Sequence, residues 1–180
     1  IASIAVKNAG LYEQMYREAR VDTLTGVYNY RFFVERIDAE FEACRNDSLA
    51  LLFVDVDDFR LYNQLYGATE GDRALRSVSE LISLCVGDAG TVFRYSGKVF
   101  AALMPHYDGR QAELLAHEIR RRIDAANAAP ERVNFKPISV SCGICVDVCP
   151  FDSIKMNQEY EIAVTNRFEP LLLTKKELAR

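Results

Sequence analysis

The sequence predicts an α/β domain, a sheet with helices on both faces. Three observations carry that expectation. Apolar runs at 49–55, 91–95, 99–104 and 138–146 read as strands, the last rich in β-branched residues. Stripes at helical spacing run through Phe33, Ile37, Phe41 and Cys44, then Leu75, Val78, Ile82 and Cys85, then Leu115, Ile119 and Ile123. The two kinds of segment alternate along the chain.

Taken in order, residues 1–20 read as a helix. Ile1, Ile4, Asn8, Leu11, Met15 and Glu18 follow the 3-4 spacing of a short coiled-coil seam, with Asn8 and Glu18 as its polar members. A helix packed on its own domain fits the same spacing. Residues 22–29 form a polar turn containing Gly26, and a helix follows over about 30–45. The run 49–55 is a short buried strand that ends in acids. A second helix covers 70–86, and the runs 91–95 and 99–104 flank Ser96-Gly97-Lys98 as a hairpin. A long helix over about 111–126 leads to the strand at 138–146. Beyond Val146 the texture changes to prolines, charges and scattered apolar residues, until Thr174 offers an N-cap for a helix over 174–180. Residues 147–180 are therefore expected to be the least well-packed part of the chain.

Composition narrows the function. The chain of 180 residues has 49% hydrophobic and 27% charged residues, an ordinary globular balance with room for one domain and short extensions. A formal net charge of -4 gives no electrostatic case for a nucleic-acid partner or a membrane surface. The one basic cluster, Arg120, Arg121 and Arg122, falls in a helical pattern and reads as a solvated face. Five cysteines, an odd number, without a secretory signal pattern predict a reduced, cytoplasmic setting. No apolar run approaches the ~20 residues that a membrane span needs. The chain opens at Ile1 rather than Met, so a piece of a longer protein is expected.

The strand leading into Asp55-Val56-Asp57 delivers carboxylates at the mouth of a sheet, and period-2 alternation puts Asp55 and Asp57 on one face. Acids so placed commonly hold Mg²⁺ over substrate phosphates. Phosphoryl-transfer sites of that kind need at least two carboxylates and a group that activates the nucleophile.

At this point the motifs resemble a known family. Asp22-Thr-Leu-Thr-Gly-Val-Tyr-Asn29 resembles the DxLTGLxN opening of GGDEF domains, the diguanylate cyclases. Asp55-Val-Asp57-Asp-Phe59-Arg60-Leu-Tyr-Asn63-Gln64 resembles their DxDxFKxxND segment. Gly67-Ala-Thr-Glu-Gly71-Asp72 resembles GHxxGD with Ala68 in place of the His, and Val140-Ser141-Cys142-Gly143-Ile144 resembles the late VSxG strand. Order and spacing agree over about 20–146. The resemblance implies a nucleotidyl-cyclase-like sheet and a site for GTP with Mg²⁺. Asp55 would be the metal carboxylate, with the Val56 carbonyl beside it. Asn63 and Asp72 would read the guanine edge, an assignment that suits its O6 acceptor and N1 and N2 donors. Taken alone, Asn63 also reads as a helix-surface residue and Asp72 as an N-cap. Residues 1–19 resemble the closing helix of GAF sensor domains, which implies an upstream sensor, and the coiled-coil seam at 1–20 gives the expectation of a homodimer through the N-terminal helix.

The departures from the family pattern are specific. Where the signature should read Gly-Gly-(Asp/Glu)-Glu-Phe, this chain has Ser96-Gly97-Lys98-Val99-Phe100. Lys98 replaces the metal-binding acid and Val99 the second acid, so no catalytic residue is assigned. A cation there opposes Mg²⁺. It either offers its own charge to phosphate or is an exposed hairpin lysine. The positions of the product-inhibition motif RxxD are Gly87 and Gly90. The family's closing helix, with its phosphate-binding lysine and AKxxGRN stretch, has no counterpart after Val146, so the sheet is expected to be truncated at its C-terminal end.

The tail resembles something else. Cys142-Gly-Ile-Cys145-Val-Asp-Val-Cys149-Pro150 has the CxxCxxxCP spacing of iron–sulfur runs. Residues 142–180 resemble the end of the two-cluster (4Fe-4S) ferredoxin-like subunit of respiratory complex I, the NADH-quinone oxidoreductase. A cubane needs four thiolates, and the place of the run's first cysteine holds Ser139. Cys44 and Cys85 lie on helix stripes, so no cluster is expected, only a remnant of Cys142, Cys145 and Cys149. The expected organisation is a linker or coiled-coil helix at 1–20, a degenerate GGDEF domain at 21–146 and a ferredoxin-type tail at 147–180. The junction near 145 is open between natural fusion, assembly error and deliberate joining. The expected function is a non-catalytic signalling module of cyclic-di-GMP regulation, able to bind guanine nucleotide and to dimerise. A working diguanylate cyclase, an iron–sulfur electron-transfer fragment and a ligand-free scaffold are its rivals.

Overall fold

The computed structural model describes residues 19–44, 47–128, 136–146 and 171–173. The coiled-coil seam, the GAF-like stretch, Cys149 and the helix expected over 174–180 lie outside these residues. In chain order the elements are β1 (Tyr28–Asn29), α1 (Tyr30–Ala43), β2 (Leu49–Val56), α2 (Phe59–Tyr66) and α3 (Ala68–Val86). There follow β3 (Thr91–Ser96), β4 (Val99–Pro105), α4 (Gly109–Ala128), β5 (Val140–Val146) and β6 (Leu171–Leu173). The sheet has six strands in the order β1-β3-β4-β2-β5-β6. β2 lies inside it, antiparallel to both β4 and β5, while β1 and β6 pair in parallel with β3 and β5.

Interior position explains why β2 reads as an unbroken apolar run. Seven of its eight residues are buried, because helices cover both of its faces. Leu52, Val54 and Val56 point into a core shared with Leu75, Val78 and Ile82 of α3 and Ala116, Ile119 and Ile123 of α4. Leu49, Leu51 and Phe53 point the other way, into a core with Phe33 and Ile37 of α1 and Phe93 of β3. The α/β class with helices on both faces is therefore the observed one.

Local chemistry sets the boundaries. Asn29 caps α1, its side-chain oxygen accepting from the Phe32 N–H at 3.1 Å. The 3–4 spacing of Phe33 and Ile37 then buries one stripe of that helix. The helix expected over 70–86 begins at Ala68, and a separate short helix, α2, precedes it. Gly67 divides the two at φ 88 and ψ 158, a backbone conformation open almost only to glycine. Ile138 lies just outside β5, held through its backbone by the Asn127 amide, which donates to its carbonyl at 2.7 Å and accepts from its N–H at 3.0 Å.

One expectation changes. No strand is expected after Val146, yet Leu171–Leu173 pairs with β5, Leu171 opposite Gly143 and Leu173 opposite Cys145. An extended trio of leucines beside a strand with an open edge supplies the pairing that lack of helical period had left out of account. The iron–sulfur reading of the same region also meets the sheet. Cys142 is buried in the core beneath α4, whereas Cys145 packs towards the α1 core. Period-2 alternation puts these two thiols on opposite faces, so they cannot reach one cluster. Burial pushes the Cys142 thiol up to about 12, which keeps it neutral.

Candidate functional site

The family-like motifs converge where β2 ends, beside the β3–β4 turn and the α2–α3 junction. Asp55 stands opposite Val99 of β4. The Val56 N–H donates to the Lys98 carbonyl at 3.2 Å, so the sheet register itself holds Lys98 beside the end of β2. The Lys98 Nζ lies 3.1 Å from Asp55 Oδ1, with the Asp55 side chain 15% exposed and that of Lys98 41% exposed. Lys98 is thus not a free hairpin lysine. It forms an ion pair with the carboxylate that the resemblance assigns to metal. Asp57, on the same face as Asp55, accepts from the Ser141 Oγ at 2.7 Å, and its N–H donates to the Ser139 carbonyl at 2.9 Å.

The turn is held from outside the signature. Arg94 donates to the Gly97 carbonyl from Nε at 3.0 Å and from Nη2 at 2.7 Å, and its Nη1 reaches Asp22 Oδ1 at 3.0 Å. The same Asp22 oxygen accepts from the Thr25 N–H at 2.9 Å and the Thr25 hydroxyl at 2.7 Å. Partial burial pushes the Asp22 carboxyl up. The hydrogen bonds from Thr25 and Arg94 and the charge of Arg94 outweigh it and hold the group below its ordinary value. Arg76 Nε donates to the Leu24 carbonyl at 3.1 Å, so the 22–29 turn is tied to α3 as well as to the hairpin. Sequence reasoning missed Arg94 and Arg76. The one signal was an arginine at an otherwise apolar position of β3.

Asn63 lies on α2 and Asp72 on α3, on either side of the junction at Gly67. Asn63 Oδ1 is buried and has no hydrogen-bond partner among the described residues. It presses on Gly71. A Cβ at Gly71 would collide with that oxygen, and would stand 3.0 Å from Asn63 Cγ and 3.1 Å from Phe59 Cζ. Glycine is therefore what lets the two helices close at this point. Asn63 as a whole is half-buried, with its amide oxygen enclosed. Asp72 follows Gly71 directly and is exposed in the second turn of α3. Gly67 takes the N-cap place, so Asp72 is not a cap.

The positions that replace RxxD are also explained. Gly87 closes α3 at φ 52, and a Cβ at Gly90 would stand 2.5 Å from the Leu103 carbonyl oxygen. Both serve chain geometry and offer no side chain to a ligand.

The divalent cation implied by the resemblance does not fit these residues. Asp55 is paired with an ammonium, Asp57 with a hydroxyl, and Lys98 and Val99 supply no acid. Among the described residues no group of three or more His, Cys, Asp or Glu side chains is arranged to hold a metal ion. No described helix is long and apolar enough to cross a membrane.

Known proteins resemble this chain in sequence and in fold. A relative from Vibrio cholerae, diguanylate cyclase VdcA, is 28% identical over 169 residues, covering 93% of this chain and 47% of its own length. Diguanylate cyclase A from Treponema denticola is 26% identical over 84% of the chain and 40% of its own length. The chain thus spans less than half of either relative. Among solved structures, the coiled coil and GGDEF domain of DgcB from Caulobacter crescentus, in complex with c-di-GMP, superposes with a TM-score of 0.74. That match has 24% identity and covers 82% of this chain and 79% of that one. The GGDEF domain of PA1120 from Pseudomonas aeruginosa gives a TM-score of 0.62 at 28% identity, covering 71% and 75% of the two chains. The electron-transfer alternative finds no support among these matches. The family model described as "Diguanylate cyclase, GGDEF domain" matches residues 19–163, and with that match the sheet, the turn and the helix junction described above belong to a member of the GGDEF domain family.

Proposed function

We propose that this GGDEF domain is a non-catalytic module of cyclic-di-GMP signalling that holds a guanine nucleotide without cyclising it. The Lys98–Asp55 ion pair at 3.1 Å carries the reading. Metal-assisted attack on a triphosphate needs carboxylates free to hold the cation, and here the carboxylate of β2 faces a fixed positive charge. The absence of acids at positions 98 and 99 points the same way. Guanine binding is supported by the α2–α3 junction, where the Asn63 amide oxygen lacks a partner among the described residues and Asp72, next to Gly71 in the chain, offers an exposed carboxylate. Both groups accept hydrogen bonds, and the guanine edge offers N1 and N2 donors to them. In this reading the upstream segment connects the module to a sensor, and pairing of two copies through the N-terminal helix relays the signal.

The names of the relatives supply the rival, a working diguanylate cyclase. Purified protein incubated with GTP and Mg²⁺ separates the two. The expected outcome is no cyclic di-GMP above a no-enzyme blank by liquid chromatography. Sustained turnover there would establish the rival.

A further inference from the structure

We infer that this site takes its nucleotide without a divalent metal, the Lys98 ammonium supplying the positive charge to the phosphates. The inference rests on the guanine-nucleotide reading above and adds how the triphosphate is held. Four observations carry it. The backbone fixes Lys98 at the end of β2, because the Val56 N–H bonds its carbonyl at 3.2 Å. Its Nζ sits 3.1 Å from Asp55 Oδ1, so any cation bound by that carboxylate would have to displace the ammonium or stand against a like charge. An ammonium has three donors, and with the side chain 41% exposed Lys98 can keep its hold on Asp55 and still present a donor outward. The space over the neighbouring turn is open: a Cβ at Gly97 would meet nothing within 4 Å, and the Gly97 carbonyl is turned towards Arg94, which holds it at 2.7 Å. A phosphate can therefore approach the turn at Gly97, the residue that precedes Lys98 in the chain.

The chemistry that follows is specific. Asp55 and Lys98 together are neutral, so the pair does not attract Mg²⁺, and the outward face of the ammonium attracts the free, multiply charged triphosphate more strongly than its Mg²⁺ complex. The preferred ligand is the metal-free guanosine triphosphate. Asp55, a metal carboxylate by resemblance, acts here as the positioning residue for the lysine.

Calorimetric titration of the purified chain with GTP, once in excess EDTA and once in excess Mg²⁺, tests this. The expected result is binding in EDTA at least as tight as in Mg²⁺. Lys98→Met, checked for folding by its thermal transition, should weaken GTP in EDTA tenfold or more while changing guanosine affinity less than twofold. Lys98→Glu should make what GTP binding remains dependent on Mg²⁺. GTP binding that appears only with Mg²⁺ in the unmodified chain would overturn the inference and leave the guanine reading standing. Equal losses for GTP and guanosine in Lys98→Met would overturn it too, by removing the lysine from the phosphates. Absence of GTP binding in both buffers would remove the guanine reading and this inference with it.

Discussion

A single glycine decides how closely α2 and α3 meet at the proposed guanine site. In an exposed helix, replacing glycine by alanine ordinarily gains ~1 kcal/mol. At Gly71 the added Cβ would run into Asn63 and Phe59, both on α2. Gly71→Ala is therefore expected to lose stability in a thermal melt and to weaken GTP, because Asn63 must move. Removal of the proposed guanine contact at Asp72 gives a companion measurement. Leaving a ligand group unpaired typically costs ~1–3 kcal/mol, about 5- to 150-fold in affinity. Asp72→Ala should show that loss in a GTP titration, and an unchanged affinity would put the site elsewhere. These residues were legible in sequence because the family spacing names them. Arg94 was not. Its role depends on Asp22, which lies 72 positions away along the chain, and no local pattern reports such a pair. Titration should report it. A carboxyl held below its unfolded value contributes stability that is present above that value and lost as pH falls through the folded one. Acid unfolding of the Arg94→Met variant should accordingly begin at higher pH than that of the parent.

At the scale of elements, strands and long helices followed from their periods, and the short helix did not. α2 has eight residues, of which Tyr62 is the one buried, while Leu61, Leu65 and Tyr66 remain exposed. With so little of it buried, its hydrophobic spacing could not be told from a loop. What defines it is the break that ends it. Gly67 adopts φ 88 and ψ 158, and although a Cβ there would meet no neighbour, the backbone conformation itself is the obstacle. Gly67→Ala is expected to cost ~1–3 kcal/mol in urea unfolding with no change in the denaturant slope. If stability is retained, the α2–α3 link tolerates a different path. The strand β5 shows the opposite limit of sequence reading. Its cysteine spacing was compatible with an iron–sulfur run, and only pairing with β2 reveals that Cys142 and Cys145 face opposite cores.

Across the whole molecule, alternation of strands and helices was enough to give the class, but strand order was not, since β2 finds its two neighbours at β4 and β5 through contacts distant in sequence. The family match continues to residue 163, past the expected junction near 145. The sheet itself continues to Leu171–Leu173. This has a consequence for exchange of backbone amides. Strand β2 is hydrogen-bonded on both sides and buried on both faces, so its amides from Leu51 to Val54 should open only with global unfolding. Strand β6 stands at the edge, joined on one side by three register pairs. Its amides should exchange faster than those of β2, because a three-residue edge strand can detach without opening either core, yet slower than in the unfolded chain. A tail that contributes nothing to the domain gives the contrasting result, exchange at the unfolded rate throughout 171–173. Hydrogen exchange read by mass spectrometry on peptides covering 49–56 and 165–180 distinguishes them. Removal of residues 165–180 provides the second measurement, since it would uncover the β5 edge and invite pairing with another chain. The shortened protein should melt at a lower temperature and scatter more light on heating, whereas an unchanged melt would show that the sheet is complete at β5.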